Sequence, residues 1–526
     1  MTEAALRDHR VVVVGAGIGG LVSALLLACR GLGVTLVESA RSPGGKMRHV
    51  QVDGAAVDSG PTVFTMRWVF DEILAEAGTS VSALLKLTPL DVLARHAWRG
   101  HDRRLDLFAD TARSAAAIGE FSGAAEARRF LAFCEQARKV YHALEGPYIR
   151  SERPSLAGMV GDLGPRGMAV LAGLGPFASL WRALGRHFHD PRLQQLFGRY
   201  ATYTGSSPWS APATLMLVAQ VELDGVWAVE GGMHGVACAL AGLAQARGVD
   251  LRYGERVDEV LVDQGRACGV RLASGEALTA DSVVFNGDVN ALAIGLLGAG
   301  PTRATPAVKA TQRSLSAVTW SMRARSQGFP LVMHNVFFDH DYRSEFDDIF
   351  AARQLPRQGT VYVCAQDRAH GELMEPGAER LLCLVNAPAT GDERAFDDLE
   401  TDSCEHRSFQ LLRDCGLTLD FQPHQSVRTT PQQFERLFPA TGGALYGRAT
   451  HGWMSSFQRP SALSALPGLY LAGGSVHPGP GVPMAAMSGR LAAATLMAHL
   501  DSTSRSRRVR ISGGTSTPSV TMAGTG

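Results

Sequence analysis

The chain is 526 residues long, more than one ordinary hydrophobic core covers, so at least two domains are expected. Lysine and arginine number 51 against 50 acids, and a net charge of +1 gives no reason to expect nucleic acid as a partner. With 45% apolar and 19% charged residues the composition is globular and slightly greasy, which excludes a disordered chain.

Val11-Val12-Val13-Val14 opens the ordered sequence, a short, wholly apolar β-branched run that suits a buried central strand. Gly15-Ala16-Gly17-Ile18-Gly19-Gly20 follows at once, then a helix-like run over 21–28 that ends at Gly31-Leu32-Gly33. Residues 34–37 read as a second strand, with Glu38 at its carboxyl end. A strand, a G-x-G-x-x-G turn, a helix and then an acid at this distance form a dinucleotide-binding unit; a purely structural glycine turn is the bland alternative. Gly15 permits the tight turn, Gly17 lets a diphosphate approach the backbone, and Gly20 lets helix and strand pack closely. The helix start at Ile18 and Gly19 offers unpaired N–H groups and a positive dipole end to phosphate. Glu38 is placed to bind both hydroxyls of an adenosine ribose, and a carboxylate there disfavours the 2′-phosphate of NADP.

The next stretch, Ser39-Ala40-Arg41-Ser42-Pro43-Gly44-Gly45-Lys46, adds a glycine pair and a cation that NAD does not need. It resembles the extended FAD fingerprint of the amine oxidase and phytoene desaturase superfamily. That resemblance implies that Gly45 and Lys46 lie along the diphosphate and flavin. Asp58-Ser59-Gly60-Pro61-Thr62 resembles the family's following segment, which would bring Gly60, Pro61 and Thr62 beside the flavin.

Further along, 68–77 reads as a helix and 105–109 as a strand. Phe130, Phe133, Cys134, Ala137, Tyr141 and Leu144 recur at helical spacing between charged residues, an amphipathic helix whose stripe belongs to the core. The segment 155–188 is unusual: bulky apolar residues, including Met168, Phe177, Leu180 and Trp181, are broken by glycines and prolines and framed by Arg153, Arg166, Arg182 and Arg186. Two readings stand side by side, an interfacial membrane segment or greasy tunnel mouth, and a helical pair in the core. Asp190-Pro191 starts another helix, 201–208 is a turn-rich junction, 213–223 is apolar, and 235–247 is helical. Residues 250–253, 257–262, 268–272 and 282–285 read as the strands of one small sheet, with Ser274-Gly275 as a hairpin turn. Its layout resembles the second piece of the same superfamily's FAD domain, which implies that the backbone of Val257 holds the adenine edge. Residues 300–450 alternate strand patterns (317–322, 331–338, 361–364, 381–385) with helices and turns, which suits a mixed sheet with covering helices.

From Asp501 onward the composition collapses to Ser, Thr, Gly and Arg, and a disordered tail over 501–526 is expected. Arg505, Arg507, Arg508 and Arg510 either touch acidic lipid or lie solvated. The eight cysteines are scattered without a C-x-x-C, as expected of reduced thiols in a cytosolic protein, and no metal-ligand set stands out. No signal peptide is visible, and no apolar run reaches the roughly 18 residues of a spanning helix. The protein is expected to be soluble or to lie on a membrane, not to span it.

The closing run, Gly468-Leu469-Tyr470-Leu471-Ala472-Gly473-Gly474-Ser475-Val476-His477-Pro478-Gly479-Pro480-Gly481-Val482-Pro483-Met484, is a strand, a glycine turn and the start of a helix over 485–500. The glycine turn and helix start around Gly473, Gly474, Val482, Pro483 and Met484 can supply backbone N–H groups to a flavin, Pro483 itself having none to give. This run is similar to the closing motif of bacterial carotenoid desaturases of the phytoene desaturase type. With the N-terminal fingerprint, 227–233 and Arg459-Pro460, the similarity covers roughly residues 9–500. Within the family, Gly60-Pro61-Thr62-Val63-Phe64-Thr65-Met66-Arg67-Trp68 and 92–98 look most like the hydroxyneurosporene and methoxyneurosporene desaturases.

The resemblance implies an α/β fold. A Rossmann-type FAD-binding domain would be assembled from 9–75, 215–298 and 456–500. A helical substrate subdomain over 76–214, a candidate for membrane contact, and a mixed-sheet substrate domain over 299–455 would be inserted. It implies FAD as cofactor, a hydrophobic C40 carotenoid as substrate, and formation of a C3–C4 double bond in acyclic 1-hydroxy- or 1-methoxy-carotenoids. A quinone or oxygen would accept the electrons, and the protein would sit on the cytoplasmic surface of the inner or photosynthetic membrane. Glu230 and His234, flanking the Gly231-Gly232 turn, are candidate bases, with Asp224 and Glu222 behind them; the simpler reading is that all four are structural. The resemblance puts His477 beside the flavin as a loop residue. Phytoene desaturation, a flavin amine oxidase and a non-enzymatic lipid-handling protein are the alternatives; the complete fingerprint and closing motif argue against the last.

Overall fold

In the computed structural model, which describes residues 8–152, 156–175, 178–371, 373 and 377–511, the chain builds outward from the strand Arg10–Val14. That strand is central in a five-stranded parallel sheet. In spatial order its strands are Leu469–Leu471, Ser282–Phe285, Arg10–Val14, Gly33–Glu38 and Asp250–Tyr253. The apolar run is explained by burial on both faces. Val11 and Val13 pack with Leu21 and Leu25 of the helix Ile18–Cys29, while Val12 and Val14 pack with Val257, Val260 and Val270 on the opposite face. The helix Ile18–Cys29 is itself flanked by Gly232–Ala246 and by the closing helix Val482–Ile511. One sheet thus draws strands from three separate stretches of chain and brings their carboxyl ends to one rim.

Two sequence expectations are corrected here. Asp250–Tyr253 and Ser282–Phe285 do not join 257–272 in one small sheet; they extend the parallel sheet, with Thr35 opposite Asp250 and Val11 opposite Ser282. The fully buried Ser282–Phe285 run marks a central strand, which a small surface sheet would not bury. Only Val257–Asp263, Arg266–Leu272 and Ala277–Thr279 form the antiparallel meander, with the expected turn at Ser274-Gly275. The closing helix, in turn, runs to Ile511, eleven residues beyond its expected end at Leu500. No glycine or proline interrupts it between Arg490 and Ser512, and helix propensity outlasts the change in composition. Residues 512–526 lie outside the described residues.

The second sheet is mixed and eight-stranded. Its long strand Ser316–Gln327 pairs with Glu379–Ala387, Thr418–Asp420 and Ser426–Thr429, and the sheet continues through Val361–Ala365 and His334–Phe338. Val92–Trp98 and Leu105–Phe108 complete it, the former parallel to His334–Phe338, so two strands from the 76–214 stretch belong to this sheet. Alternation divides its faces. Trp320 and Met322 pack on the helix Asp398–Asp414, and Thr319 faces the other way into the cavity described below.

Over the open side of that cavity lie helices, among them Ala124–Leu144, Leu180–His187, Pro191–Gly198 and Leu217–Leu223. The stripe Phe130, Phe133, Cys134, Ala137, Tyr141 and Leu144 is buried throughout, as its spacing predicts. The 155–188 segment splits between its two readings. Leu180 is 0% exposed and the half-buried Trp181 packs against Trp209, ring centroids 4.5 Å apart, so this part belongs to the core and its edge. Leu156–Leu174 is different: it is kinked at Gly164-Pro165 and rests Leu163, Val170 and Leu171 on the core while Met168, Ala169 and Ala172 are exposed. Phe177 lies outside the described residues. No helix among the described residues is long and apolar enough to cross a membrane.

Candidate active site

The carboxyl rim of the parallel sheet opens into one large cavity of about 980 Å³ that continues beneath the mixed sheet and the helical layer. At the rim, the backbone dictates the shape. Gly15 leaves the first strand with φ +97°, and a Cβ on Gly20 would lie 2.0 Å from the carbonyl oxygen of Gly15, so only glycine lets helix and strand meet here. The helix Ile18–Cys29 starts at Gly17 without a side-chain cap and with no acid in its first turn, which leaves its leading N–H groups free for a diphosphate. Gly44 bridges to Gly17, and its N–H donates to the carbonyl of Ala16 at 2.8 Å, folding the second glycine pair over the first. Glu38, 9% exposed, accepts from the N–H of Ala16 at 2.7 Å and that of Ala40 at 2.8 Å, with Ser39 Oγ at 3.1 Å. These bonds fix the carboxylate at the cavity edge where an adenosine ribose would end.

Of the residues expected to hold the cofactor, Gly15, Gly17, Ile18, Gly19, Glu38, Gly45, Lys46, Gly60, Pro61, Thr62, Val257, Gly473, Gly474, Val482, Pro483 and Met484 all line this cavity. Gly20 lies behind them in the packed helix–strand contact. The donor set fits a dinucleotide: two helix starts, glycine-bared backbone and a ribose acid converge, and the closing strand and glycine turn face the first. Sequence reasoning missed four polar residues of the same region. Asn286 Nδ2 donates to the carbonyl of Gly15 at 3.2 Å beneath the glycine turn. Asp288 and Lys46 both line the cavity, Lys46 Nζ donating to the carbonyl of Leu445 at 2.6 Å; burial raises the carboxyl and lowers the ammonium, and their mutual attraction opposes both shifts. Arg459 is 8% exposed and donates to the carbonyls of Tyr446, Gly474 and Arg448; burial brings its guanidinium down to about 10. Asn286-Gly287-Asp288 reads in sequence only as a strand end, and Arg459 only as part of a resemblance. Tyr446, the fourth, is pushed up to about 12 by burial.

The far half of the cavity is walled by Leu144, Ile149, Leu215, Leu217, Val218 and Val221 from the helical layer and by Leu382 and Leu384 from the mixed sheet. Into this apolar wall is set one polar cluster. Glu222, 8% exposed, accepts from Tyr200 Oη and Tyr203 Oη, each at 2.8 Å. Arg199, 9% exposed, stacks its guanidinium over the Tyr203 ring at 5.0 Å. Burial alone would lower Arg199, but Tyr203 and Glu222 hold it above its ordinary value. On the sheet side, Tyr362 Oη lies 2.7 Å from Thr62 Oγ1 and 2.7 Å from His334 Nδ1, and burial drops His334 to about 3, so its imidazole is neutral.

The candidate bases separate sharply. Glu222 alone among the four lines the cavity. Glu230 is exposed and ion-paired with Lys86 at 2.5 Å. Asp224 accepts from Gln220 Nε2 at 2.6 Å on an exposed helix end. His234 lies outside the cavity wall, its Nδ1 3.0 Å from His49 Nδ1 and its Nε2 3.1 Å from the carbonyl of Pro43. Glu230 and His234 are therefore not placed to take a proton from a molecule in this cavity: the turn between them holds the Asp58 carboxylate, which accepts from the N–H of Met233, instead of turning toward the cavity. His477 is 2% exposed, its Nε2 sits 3.0 Å from the carbonyl of Ser151, and burial lowers it to about 4. It packs edge-on against Tyr148, which does line the cavity, so it supports the wall from behind.

Comparison with known proteins adds three findings. The family profile of the flavin containing amine oxidoreductases matches residues 18–497. The hydroxyneurosporene desaturase of Rubrivivax gelatinosus is 73% identical over 519 residues, 99% of this chain and 99% of that one, and the hydroxyneurosporene desaturase of Cereibacter sphaeroides is 48% identical over 94% and 99%. Among solved structures, an oxidoreductase from Methanosarcina mazei shares the fold with a TM-score of 0.60 at 16% identity, covering 91% of this chain and 99% of its own.

Proposed function

The chain belongs to the flavin containing amine oxidoreductases, and we propose that it is an FAD-dependent desaturase that introduces the C3–C4 double bond into acyclic 1-hydroxy- or 1-methoxy-carotenoids. The observation that carries this is the continuity of the cavity: a glycine-lined dinucleotide cradle opens directly into an apolar chamber, without an intervening wall. Bound FAD supplies the hydride acceptor for a C–C bond next to the polyene. The residues of this chain do the rest. The two glycine pairs, Glu38 and the start of the closing helix hold the dinucleotide. The leucines and valines of the far half align the polyene so that the reacting carbon comes to within about 3–3.5 Å of the acceptor, and they keep water from the developing cation. The proton on the neighbouring carbon is strongly acidified once the hydride departs, so weak acceptors lining the chamber suffice.

A C40 polyene is practically insoluble in water, so we place the protein on the cytoplasmic face of the inner or photosynthetic membrane, with lipid as its second partner and a quinone or oxygen as electron acceptor. The kinked helices of Leu156–Leu174 support that reading, because they leave Met168, Ala169 and Ala172 exposed. The test is an anaerobic incubation of the flavoprotein with lipid-dispersed 1-hydroxyneurosporene. Bleaching of the flavin band together with a red shift of the polyene spectrum is expected. A flavin that stays oxidised, or that bleaches only with an amine, sinks the reading.

A further inference from the structure

The polar cluster in the far half of the cavity is out of place in a chamber built for a hydrocarbon. Taking a charge out of water is costly, and an apolar residue of similar volume would serve the wall at no such cost. Arg199 and Glu222 are nevertheless both more than nine-tenths buried there, and both line the cavity. Their bonding is lopsided. The carboxylate is provided for, with one tyrosine hydroxyl on each oxygen. The guanidinium is only partly provided for: it rests against Tyr203, but its Nε–H has no hydrogen-bond acceptor. Tyr342 lines the same chamber, and its buried hydroxyl is likewise without a partner. Buried donors without acceptors are rare in folded proteins and call for an absent acceptor.

We propose that the Arg199 guanidinium binds the oxygen on C1 of the carotenoid and thereby selects oxygenated ends over hydrocarbon ends. This deepens the desaturase reading above and rests on it. Arginine is donor-only, and a hydroxyl and a methyl ether share the ability to accept, so one guanidinium serves both end groups. Glu222, held by Tyr200 and Tyr203, is the counter-charge that keeps Arg199 in the wall. The location is consistent with the chemistry. The C1 oxygen is three bonds from C3, so its seat has to lie close to the reacting end of the chamber. His334, whose imidazole feels the Arg199 charge, lies 2.7 Å from Tyr362 Oη, which in turn lies 2.7 Å from Thr62 of the Gly60-Pro61-Thr62 segment at the cofactor cradle. When a hydrocarbon end occupies the chamber, the guanidinium loses water and gains nothing, and such mismatches discriminate more strongly than a missing methylene does.

The experiment compares kcat/KM for 1-hydroxyneurosporene and neurosporene, delivered in the same lipid, across the wild type, R199M, R199K and R199M/E222Q. The double variant is included because R199M alone leaves a buried carboxylate uncompensated. The wild type should prefer the hydroxylated substrate by about 10- to 150-fold, the range of one hydrogen bond to a charged group. R199M and the double variant should bring the ratio of the two kcat/KM values to within about threefold of unity, with flavin content unchanged. R199K, which retains a donor and the charge, should recover part of the preference. An undiminished ratio in either flavin-replete methionine variant overturns the proposal. A wild type that converts both substrates equally well overturns it too, and leaves the desaturase reading standing. A wild type that converts neither removes that reading and the proposal together.

Discussion

Glu38→Ala separates the two roles that the structure gives one carboxylate. The side chain accepts the N–H groups of Ala16 and Ala40 and the hydroxyl of Ser39 before any ligand arrives. Ala16 is fully buried, so truncation strands its N–H away from water, at a cost of about 1–3 kcal/mol. Ala40 is exposed, and water replaces its lost acceptor at little cost. The flavin-free protein should therefore lose about 1–3 kcal/mol of stability, read as a shift in denaturant midpoint. FAD binding should weaken by a further 1.5–3 kcal/mol, roughly 10- to 150-fold, because hydrogen bonds from a ribose to a charged acceptor disappear as well. Quenching of flavin fluorescence on titration reads the second effect independently of the first. Glu38→Gln should fall between wild type and alanine, since one amide oxygen can accept from Ala16 or Ala40 while the amide nitrogen opposes the other. An unchanged FAD dissociation constant in Glu38→Ala would refute the ribose role even if the stability fell as expected.

Gly17→Val should abolish flavin binding, because its side chain would occupy the diphosphate's point of closest approach beside Asn286; a folded variant with stoichiometric FAD contradicts the placement. Burial raises the Glu345 carboxyl from 4.5 to about 7, so its proton is retained in the folded state where the unfolded chain has released it. The stability this confers is present below pH 4.5 and is lost as pH rises through 7, by about 3 kcal/mol in all; Glu345→Gln should flatten that part of the stability–pH curve, and an unaltered slope in urea titrations would count against it. Met168→Glu with Ala172→Glu should release the protein from anionic liposomes while the flavin spectrum stays intact, and undiminished sedimentation moves the membrane contact elsewhere. Leu180→Ser, by contrast, cuts into the core and should cost about 2–5 kcal/mol of stability without a specific effect on lipid binding.

Much of the fold was legible because its signals are local. The β-branched run Val11–Val14, the glycines after it and the burial stripe of Ala124–Leu144 each constrain residues that are neighbours in sequence. Errors arose where partners are distant. Asp250–Tyr253 reads as a strand in isolation, but its neighbour is Gly33–Glu38, more than 200 residues away, and nothing in its own composition says so. Val92–Trp98 likewise pairs with His334–Phe338 and leaves its helical surroundings in sequence to do it. The 155–188 segment was ambiguous because kinked surface helices and a buried helix share one composition. Only the packing of Trp181 on Trp209 and the exposure of Met168 divide them.

The site divides along the same line, for a chemical reason. A diphosphate is held by backbone N–H groups, and bringing backbone that close demands glycine at set spacings, which a reader of the sequence can see. Gly20 against the Gly15 carbonyl, and Gly60, whose Cβ would sit 1.9 Å from the Lys46 carbonyl oxygen, are such demands. A polyene makes none of them. Any leucine or valine of suitable size will line its channel, so Leu144, Val218 and Leu384 carry no local signature although they share one wall. The exception is the cluster that no local pattern announces. Arg199, Tyr203 and Glu222 sit in a turn and a helix that read as ordinary polar positions, and they become informative only when burial shows how costly they are to keep there. A guanidinium and a carboxylate buried together in a largely apolar chamber are what points to an oxygen at one end of the substrate.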